Sequence, residues 1–544
     1  MAQGSDITVF DPGKSAQLLS PGGPGGGFTF EQIAVGDWTK SLSAGGKIDF
    51  AVPSSAFETF GPESIAESWT MPSPGVWVFK VRQGVHWALD PNNEASRLMN
   101  GREMTADDWV SNWNYLSGPS GSLKANQPVV VATTTVEKTG PWEVTIKHSK
   151  QLIDAWLWVE TGGGCYNLLP PEVVKKYGNV GEWRNVVGTG PFMIADFVPG
   201  SAITYKRNPN YWGKDPAGPG KGNQIPYIDG LKILIIPDVS TRVAALRTAK
   251  IDVMNGMETG DAKSIMQTTP GLKDRGYFNS QPYSVAMRTD KPDLPFKDKR
   301  VRQALLYATD LNAMAQQLYG GDSKLFTWPV DSEMTPDLYI PLEQLPQNVQ
   351  DLYKYNPDKA KALLKEAGYP NGFKTKMVAW ANGVDTDTAA IYKAMWAKVG
   401  VDVTIDPKET GVFNSIMYSK GYDETFLRWG WTFWSAQYMM AKFHSESNFD
   451  NASYVDIPNG SDPFIDGIYE RVSANIFVDW GKANQALKEL TPYVLEQAYY
   501  IPRPSPRLYN FWWPWVKNMS GEPQSLFMKY HWIDQDLKSQ VSGK

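Results

Sequence analysis

The sequence predicts an α/β protein of two lobes, each built of strands covered by helices. Three observations predict it. At 544 residues the chain is longer than one hydrophobic core can serve, since cores stop growing near ~250–300 residues. Strand-like and helix-like segments alternate in two separate stretches, the pattern of strands joined by covering helices. A stiff run, Ile501-Pro502-Arg503-Pro504-Ser505-Pro506, reads as a crossing between the lobes.

The elements follow in chain order. The first thirty residues are loop-rich. Their run Pro21-Gly22-Gly23-Pro24-Gly25-Gly26-Gly27 continues into Phe28-Thr29-Phe30, not into the Gly-Lys-Ser/Thr of a phosphate loop, so it reads as surface. Trp77 to Arg82 is rich in β-branched and aromatic residues and is a strand. Thr105 is placed to cap a helix that carries Asp107 and Asp108 in its first turn. Trp109, Trp113 and Leu116 then fall on one face, which reads as core. Strands are expected at 188–192, 203–207 and 231–236, with a short helix capped by Ser240 and Thr241 and another strand from Ile251. Beyond residue 280, helices are expected over 300–307, 358–367 and 387–399, the last followed by a strand over 401–405. A final helix over 483–497 contains Pro492, which should kink or restart it.

Composition narrows the function classes. Apolar residues are 42% and charged residues 20%, as in an ordinary globular protein. No apolar run approaches the ~18–20 residues that span a bilayer. A net charge of −5 with no Lys/Arg stripe argues against nucleic acid. The single cysteine, Cys165, excludes an intrachain disulfide and a cysteine-rich metal site, and reads as an inert thiol. His86, His148, His444 and His531 show no metal-ligand spacing, so neither a metal nor a cofactor is expected. The first residues lack the basic start and apolar core of an export signal. Aromatic residues are unusually frequent, 13% with 22 Trp, which raises the question of whether some line a cleft.

Eight segments carry a resemblance, and their order carries it further than any one of them. They are Ile65–Trp69, Trp77–Trp87, Asn100–Trp109, Gly188–Phe192, Arg207–Trp212, Ile236–Leu246, Phe296–Leu305 and Tyr355–Ala360. Together they resemble bacterial extracellular solute-binding proteins of family 5, which serve peptide, nickel and oligosaccharide ABC importers. The resemblance implies a two-lobed periplasmic-binding-protein-like fold (type II, cluster C) with an extra domain on the first lobe. On that template lobe I comprises 1–55, 188–280 and 506–544, the extra domain 56–187, and lobe II 281–505. Hinges are expected near Gln281-Pro282-Tyr283 and Pro502-Arg503-Pro504, with ligand engulfed between the lobes. The resemblance also implies a monomer that delivers its ligand to ABC permease subunits. It implies a periplasmic or membrane-anchored location, with an export signal already removed.

The ligand is read from one segment. Peptide-binding relatives carry Arg-x-Gly-Trp followed, three residues after the Trp, by an Asp that pairs with the peptide ammonium. Here Arg428 and Trp431 are retained and Trp434 stands at the Asp position. A buried ammonium without an anion is expensive, so a free peptide N-terminus fits poorly unless Asp37 or Glu446 compensates. Trp429, Trp431, Phe433 and Trp434 instead form an aromatic cluster suited to stacking on sugar rings, with Trp380 and Trp38 as further candidates. The expectation is therefore an oligosaccharide, β-linked ones included. The alternative is a peptide, opine or other small organic solute whose carboxylate Arg428 holds. An enzyme acting on glycosides is the remote alternative: no Gly-x-Ser-x-Gly or His-Glu-x-x-His motif is present, and no catalytic residue is assigned. Arg503 and Arg507 read as structural ion-pair residues.

Overall fold

The computed structural model of the chain describes residues 1–4, 6–7, 10–11, 27–47, 61, 64–119, 121, 123–124, 128–150, 167–279, 283–325, 338–419, 421–429, 462–475, 478–521 and 525–542. The chain divides into two compact units. The first comprises Met1–Tyr277 and Leu508–Lys544, the second Phe278–Arg507. Both crossings between them fall within strands, β10 (Lys273–Phe278) and β17 (Ser505–Trp512).

In the first unit, β1 (Ala2–Gln3), β6 (Phe192–Val198), β7 (Ala202–Arg207) and β8 (Gly230–Ile235) form a sheet in the order β1-β8-β7-β6. A second sheet has the order β2-β3-β5-β4, from β2 (Ala66–Ser73), β3 (Val76–Val81), β4 (Thr134–Gly140) and β5 (Glu143–His148). Strand β3 alternates as expected of a half-buried strand: Trp77, Phe79 and Val81 are buried, Lys80 exposed. Helix Ala106–Leu116 buries Trp109, Trp113 and Leu116, and the Trp109 ring lies 5.9 Å from that of Phe79. The aromatic stripe is core. Strand β9 (Val253–Glu258) pairs with residues 508–512 of β17, and β18 (Val516–Lys517) pairs with β19 (Trp532–Ile533).

The second unit holds a five-stranded sheet of β11 (Tyr283–Met287), β13 (Phe373–Trp380), β14 (Val401–Lys408), β15 (Thr425–Trp429) and β16 (Tyr500–Pro502), in the order β14-β13-β15-β11-β16. The short strand β12 (Ser323–Lys324) pairs with Ser505 and Pro506 of β17. One core cluster gathers Val285, Met287, Met377, Leu427 and Ile501 with Leu305, Leu364 and Trp396 from the helices. The Trp396 indole is fully buried and donates to Thr309 Oγ1 at 3.0 Å, which satisfies its one polar group. A second cluster packs Ala286, Val378 and Phe426 against Phe413 and Met417 of the helix Thr410–Ser419.

The recurrent segments are mostly helix starts and backbone contacts. Asp238 caps the helix Val239–Arg247, accepting from Thr241 N at 2.7 Å, so the cap stands two residues before the expected Ser240. Asp298 caps Lys299–Tyr307, and Asn356 caps Pro357–Glu366 with proline in its first turn. Asp108 accepts from Thr105 N at 2.8 Å and also takes the Arg102 guanidinium, which reaches on to Glu172. Residues 188–191 precede the strand and are not part of it. Their glycines admit a close backbone approach: Gly190 N donates to Thr29 O at 2.9 Å, and a Cβ there would meet the carbonyl oxygens of Thr29 and Phe28. Two helix expectations are corrected. The helix expected from Asp387 runs over Gly383–Ala397, because Asn382 caps it. The last helix runs without restart over Trp480–Gln497 with Pro492 inside, its flanking Leu490, Thr491, Val494 and Leu495 buried, so packing outweighs the lost hydrogen bond.

Candidate functional site

Strand direction brings the chemistry of the second unit to one sheet edge. Strand β13 is parallel to β14 and β15, while β11 is antiparallel to both β15 and β16. The C-terminal ends of β13, β14, β15 and β16 therefore share an edge with the start of β11. In open α/β sheets, ligands bind beyond the carboxyl ends of the strands. Trp380, Lys408, Trp429 and Pro502 end these four strands, and Tyr283 opens β11. In register, Ser284 is opposite Arg428 on one side and Pro502 on the other. Val378 is level with Phe426, so Trp380, two residues on, is level with Arg428.

Arg428 is 3% exposed. A guanidinium is tolerated at that depth only when its fork of donors is engaged, and its planar geometry matches a carboxylate. Trp380 is half-buried; its indole donates to Thr410 Oγ1 at 3.0 Å, and its ring stacks on Phe413 at 6.0 Å.

Beside them lies a buried ion pair. Arg503 follows β16, and its Nη1 donates to Asp385 Oδ1 at 3.0 Å and to Thr388 Oγ1 at 3.1 Å. Its guanidinium carbon stands 3.8 Å from the centre of the Tyr283 ring. The pair is almost wholly excluded from water, yet the Arg503 Nε has no hydrogen-bond partner among the described residues. Asp385 also accepts from Asn382 Nδ2 at 2.8 Å. Burial raises the Asp385 carboxyl above its ordinary pKa, and Arg503 pulls it partly back. Arg507 pairs with Asp322 at 3.1 Å. Both arginines thus make the ion pairs expected of them.

The remaining expected site residues are dispersed. Trp38 belongs to the first unit, 2% exposed, stacked on Tyr530 at 4.5 Å and packed on Phe527. Asp37 caps the turn at Trp38–Lys40 and faces Lys40 at 3.5 Å. Trp431, Phe433, Trp434 and Glu446, with Cys165 and the run 21–26, lie outside the described residues, as does the side chain of Trp429. Asp385 and Thr388 are not among the residues expected from the sequence, and Tyr283 is expected only at a hinge. Asn382-Gly383-Val384-Asp385 was the available signal, a capping pair in which Asn382 Oδ1 accepts from Asp385 N at 2.8 Å. Among the described residues, no group of three His, Cys, Asp or Glu is placed to hold a metal, and no helix is long and apolar enough to cross a membrane.

Residues 63–451 match the family described as bacterial extracellular solute-binding proteins, family 5. The chain belongs to that family. Its members are binding proteins rather than enzymes. Among its relatives, heme-binding protein A of Haemophilus influenzae is 29% identical over 359 residues, covering 62% of this chain and 60% of the relative. The dipeptide-binding protein of Escherichia coli is 28% identical over 397 residues, covering 68% and 67%. The chain thus spans about three fifths of the first relative's length and two thirds of the second's. In fold it is similar to the binding protein AgaA of A. tumefaciens R10 solved with agropinic acid, with a TM-score of 0.74 and 19% identity, covering 98% of this chain and 97% of that one. It is equally similar to AppA of Bacillus subtilis solved with a nonapeptide, with a TM-score of 0.73 and 19% identity over 98% of both. The two-lobed α/β architecture of this family is the architecture of the chain.

Proposed function

We propose that the chain is the extracytoplasmic solute-binding component of an ABC importer, and that its solute is a small carboxylate-bearing organic molecule of peptide or opine type. The single observation that carries the ligand reading is Arg428, a guanidinium buried at the carboxyl edge of the second unit's sheet. The ligand carboxylate takes donors of that fork, with Trp380 on the same edge as an apolar wall. Arg503 lies too close to Asp385 to neutralise a second anion fully, but its Nε remains for one hydrogen bond. The relatives named for a dipeptide and for complexes with agropinic acid and a nonapeptide support this class. The oligosaccharide reading leaned chiefly on Trp429, Trp431, Phe433 and Trp434, whose side chains lie outside the described residues; of its further candidates Trp38 is core of the first unit, and Trp380 alone stands at the edge. Delivery to permease subunits, the monomeric state and the extra domain over 56–187 belong to the same proposal.

Isothermal titration with a peptide pool, opines and cello-, xylo- and manno-oligosaccharides tests it. Saturable heat with a carboxylate solute, lost when that carboxylate is amidated, is the expected result. Binding of an oligosaccharide alone would overturn the ligand class, and turnover of any of them would overturn the binding-only reading.

A further inference from the structure

The first unit contains a cavity that the solute-binding role does not use. It has a volume of about 790 Å³ and is lined by Tyr227, Trp532, Asn223, Asn518 and Gln535, with Asp229 among its lining residues. That volume falls within the ~300–1,000 Å³ of small-molecule sites. All of these residues belong to the first unit.

The lining is unusual in its charge. Among the described residues that line it there is no Lys, Arg or His, and the one acid, Asp229, is almost fully exposed and already faces Arg207 at 3.0 Å. A carboxylate or phosphate would find no cation there. What the cavity offers is three side-chain amides and two aromatic rings. Trp532 is 40% exposed, and its indole has no aromatic, cationic or hydrogen-bond partner among the described residues, so part of the ring is open to solvent.

Several of these groups are held in place. The Tyr227 hydroxyl donates to Asp215 Oδ2 at 2.6 Å, which fixes the ring. Gly220 makes room for it, since a Cβ there would run into that same hydroxyl. Asn518 sits in the left-handed region, φ 58°, and its Nδ2 donates to Tyr530 O at 3.0 Å. Asparagine is among the few non-glycine residues that take this conformation readily, so the backbone there turns without strain. Its amide oxygen is left without a partner among the described residues. Gln535 opens the helix Gln535–Ser542, which Asp534 anchors by accepting from Leu537 N at 3.0 Å.

We propose that this cavity is a second binding site, for an uncharged saccharide of one or two rings. A sugar's C–H face stacks on an open indole, and its hydroxyls both donate to and accept from amides, whereas the lining holds no cation for an anion and its one acid is already paired.

The test uses the whole chain, labelled with nitrogen-15, and follows the Trp532 indole N–H, assigned by its disappearance in Trp532→Phe. The probes are maltose, cellobiose and N,N′-diacetylchitobiose, with succinate as the charged control. The expected result is a saturable shift of that resonance with at least one disaccharide and none with succinate. Saturation-transfer measurement on the sugar should then show about tenfold weaker binding in Trp532→Ala and a smaller loss in Asn518→Ala, with Trp532→Ala melting as the parent does. An unmoved indole resonance with all three sugars overturns the proposal. So does sugar binding that Trp532→Ala leaves unchanged, or a succinate shift equal to that of the sugars.

Discussion

The sheet edge of the second unit and the cavity of the first both present aromatic rings beside hydrogen-bonding groups, but they differ in charge. The edge buries two guanidiniums, Arg428 and Arg503, the second paired with Asp385. The cavity lining has no cation among its described residues and only one exposed acid. Rings alone therefore say little about a ligand. The buried charge beside them decides whether an anionic or a neutral molecule is accommodated, because an ion can be desolvated only next to a partner.

That difference can be broken by mutation, most severely at the buried pair. Arg503→Ala strands Asp385 in the core and should lower stability by about 3–5 kcal/mol in chemical denaturation. Arg503→Lys should recover part of it, because the charge returns without the planar fork. Asn518→Ala in the cavity should cost less, about 1–3 kcal/mol by the same measurement, since it removes one neutral hydrogen bond and places an alanine in the left-handed region.

Ligand affinity separates the two places next. Arg428→Ala should weaken a carboxylate solute by about 30- to 100-fold in titration calorimetry, the loss of a charge-assisted contact. It should leave the disaccharide response of Trp532 unchanged. A fall in both would mean that the substitution disturbs the chain at large.

The smallest effect is one of pH. Glu31 in the first unit accepts from the Tyr211 hydroxyl and the Trp212 indole, both at 2.9 Å, and burial raises its pKa while Lys529 opposes the rise. A raised carboxyl pKa contributes stability that is complete below the unfolded value of ~4.3 and is lost as pH rises through the folded value. Glu31→Gln should flatten that decline in denaturation curves taken across this range, the smallest of these changes.

Much of the fold was legible because its signals are local. The cap at Thr105, the stripe of Trp109, Trp113 and Leu116, and the alternation of β3 need no distant contact to be read. Pro492 misled because burial of its neighbours, a tertiary fact, holds the helix through it. The candidate site was less legible for the same reason. Asp385 and Arg503 are 118 residues apart in sequence and meet only because β16 ends beside the start of the helix Gly383–Ala397. Trp38 looked like a cleft residue from its type, yet Tyr530, nearly five hundred residues along, covers its ring. The motifs that mark the family describe its scaffold: Tyr211 and Trp212 serve Glu31, Asn208 Nδ2 donates to Gly190 O, and Arg302 donates to the carbonyls of Phe296 and Gln497.

The central claim is that Arg428 selects a carboxylate at the second unit's sheet edge. A double-mutant cycle tests it most directly, pairing Arg428 and Arg428→Ala with one solute as its free carboxylate and as its amide. The claim predicts that the parent chain prefers the carboxylate by about 30-fold or more and that Arg428→Ala binds the two forms equally. A preference that survives in Arg428→Ala, or a parent chain indifferent to amidation, would contradict it.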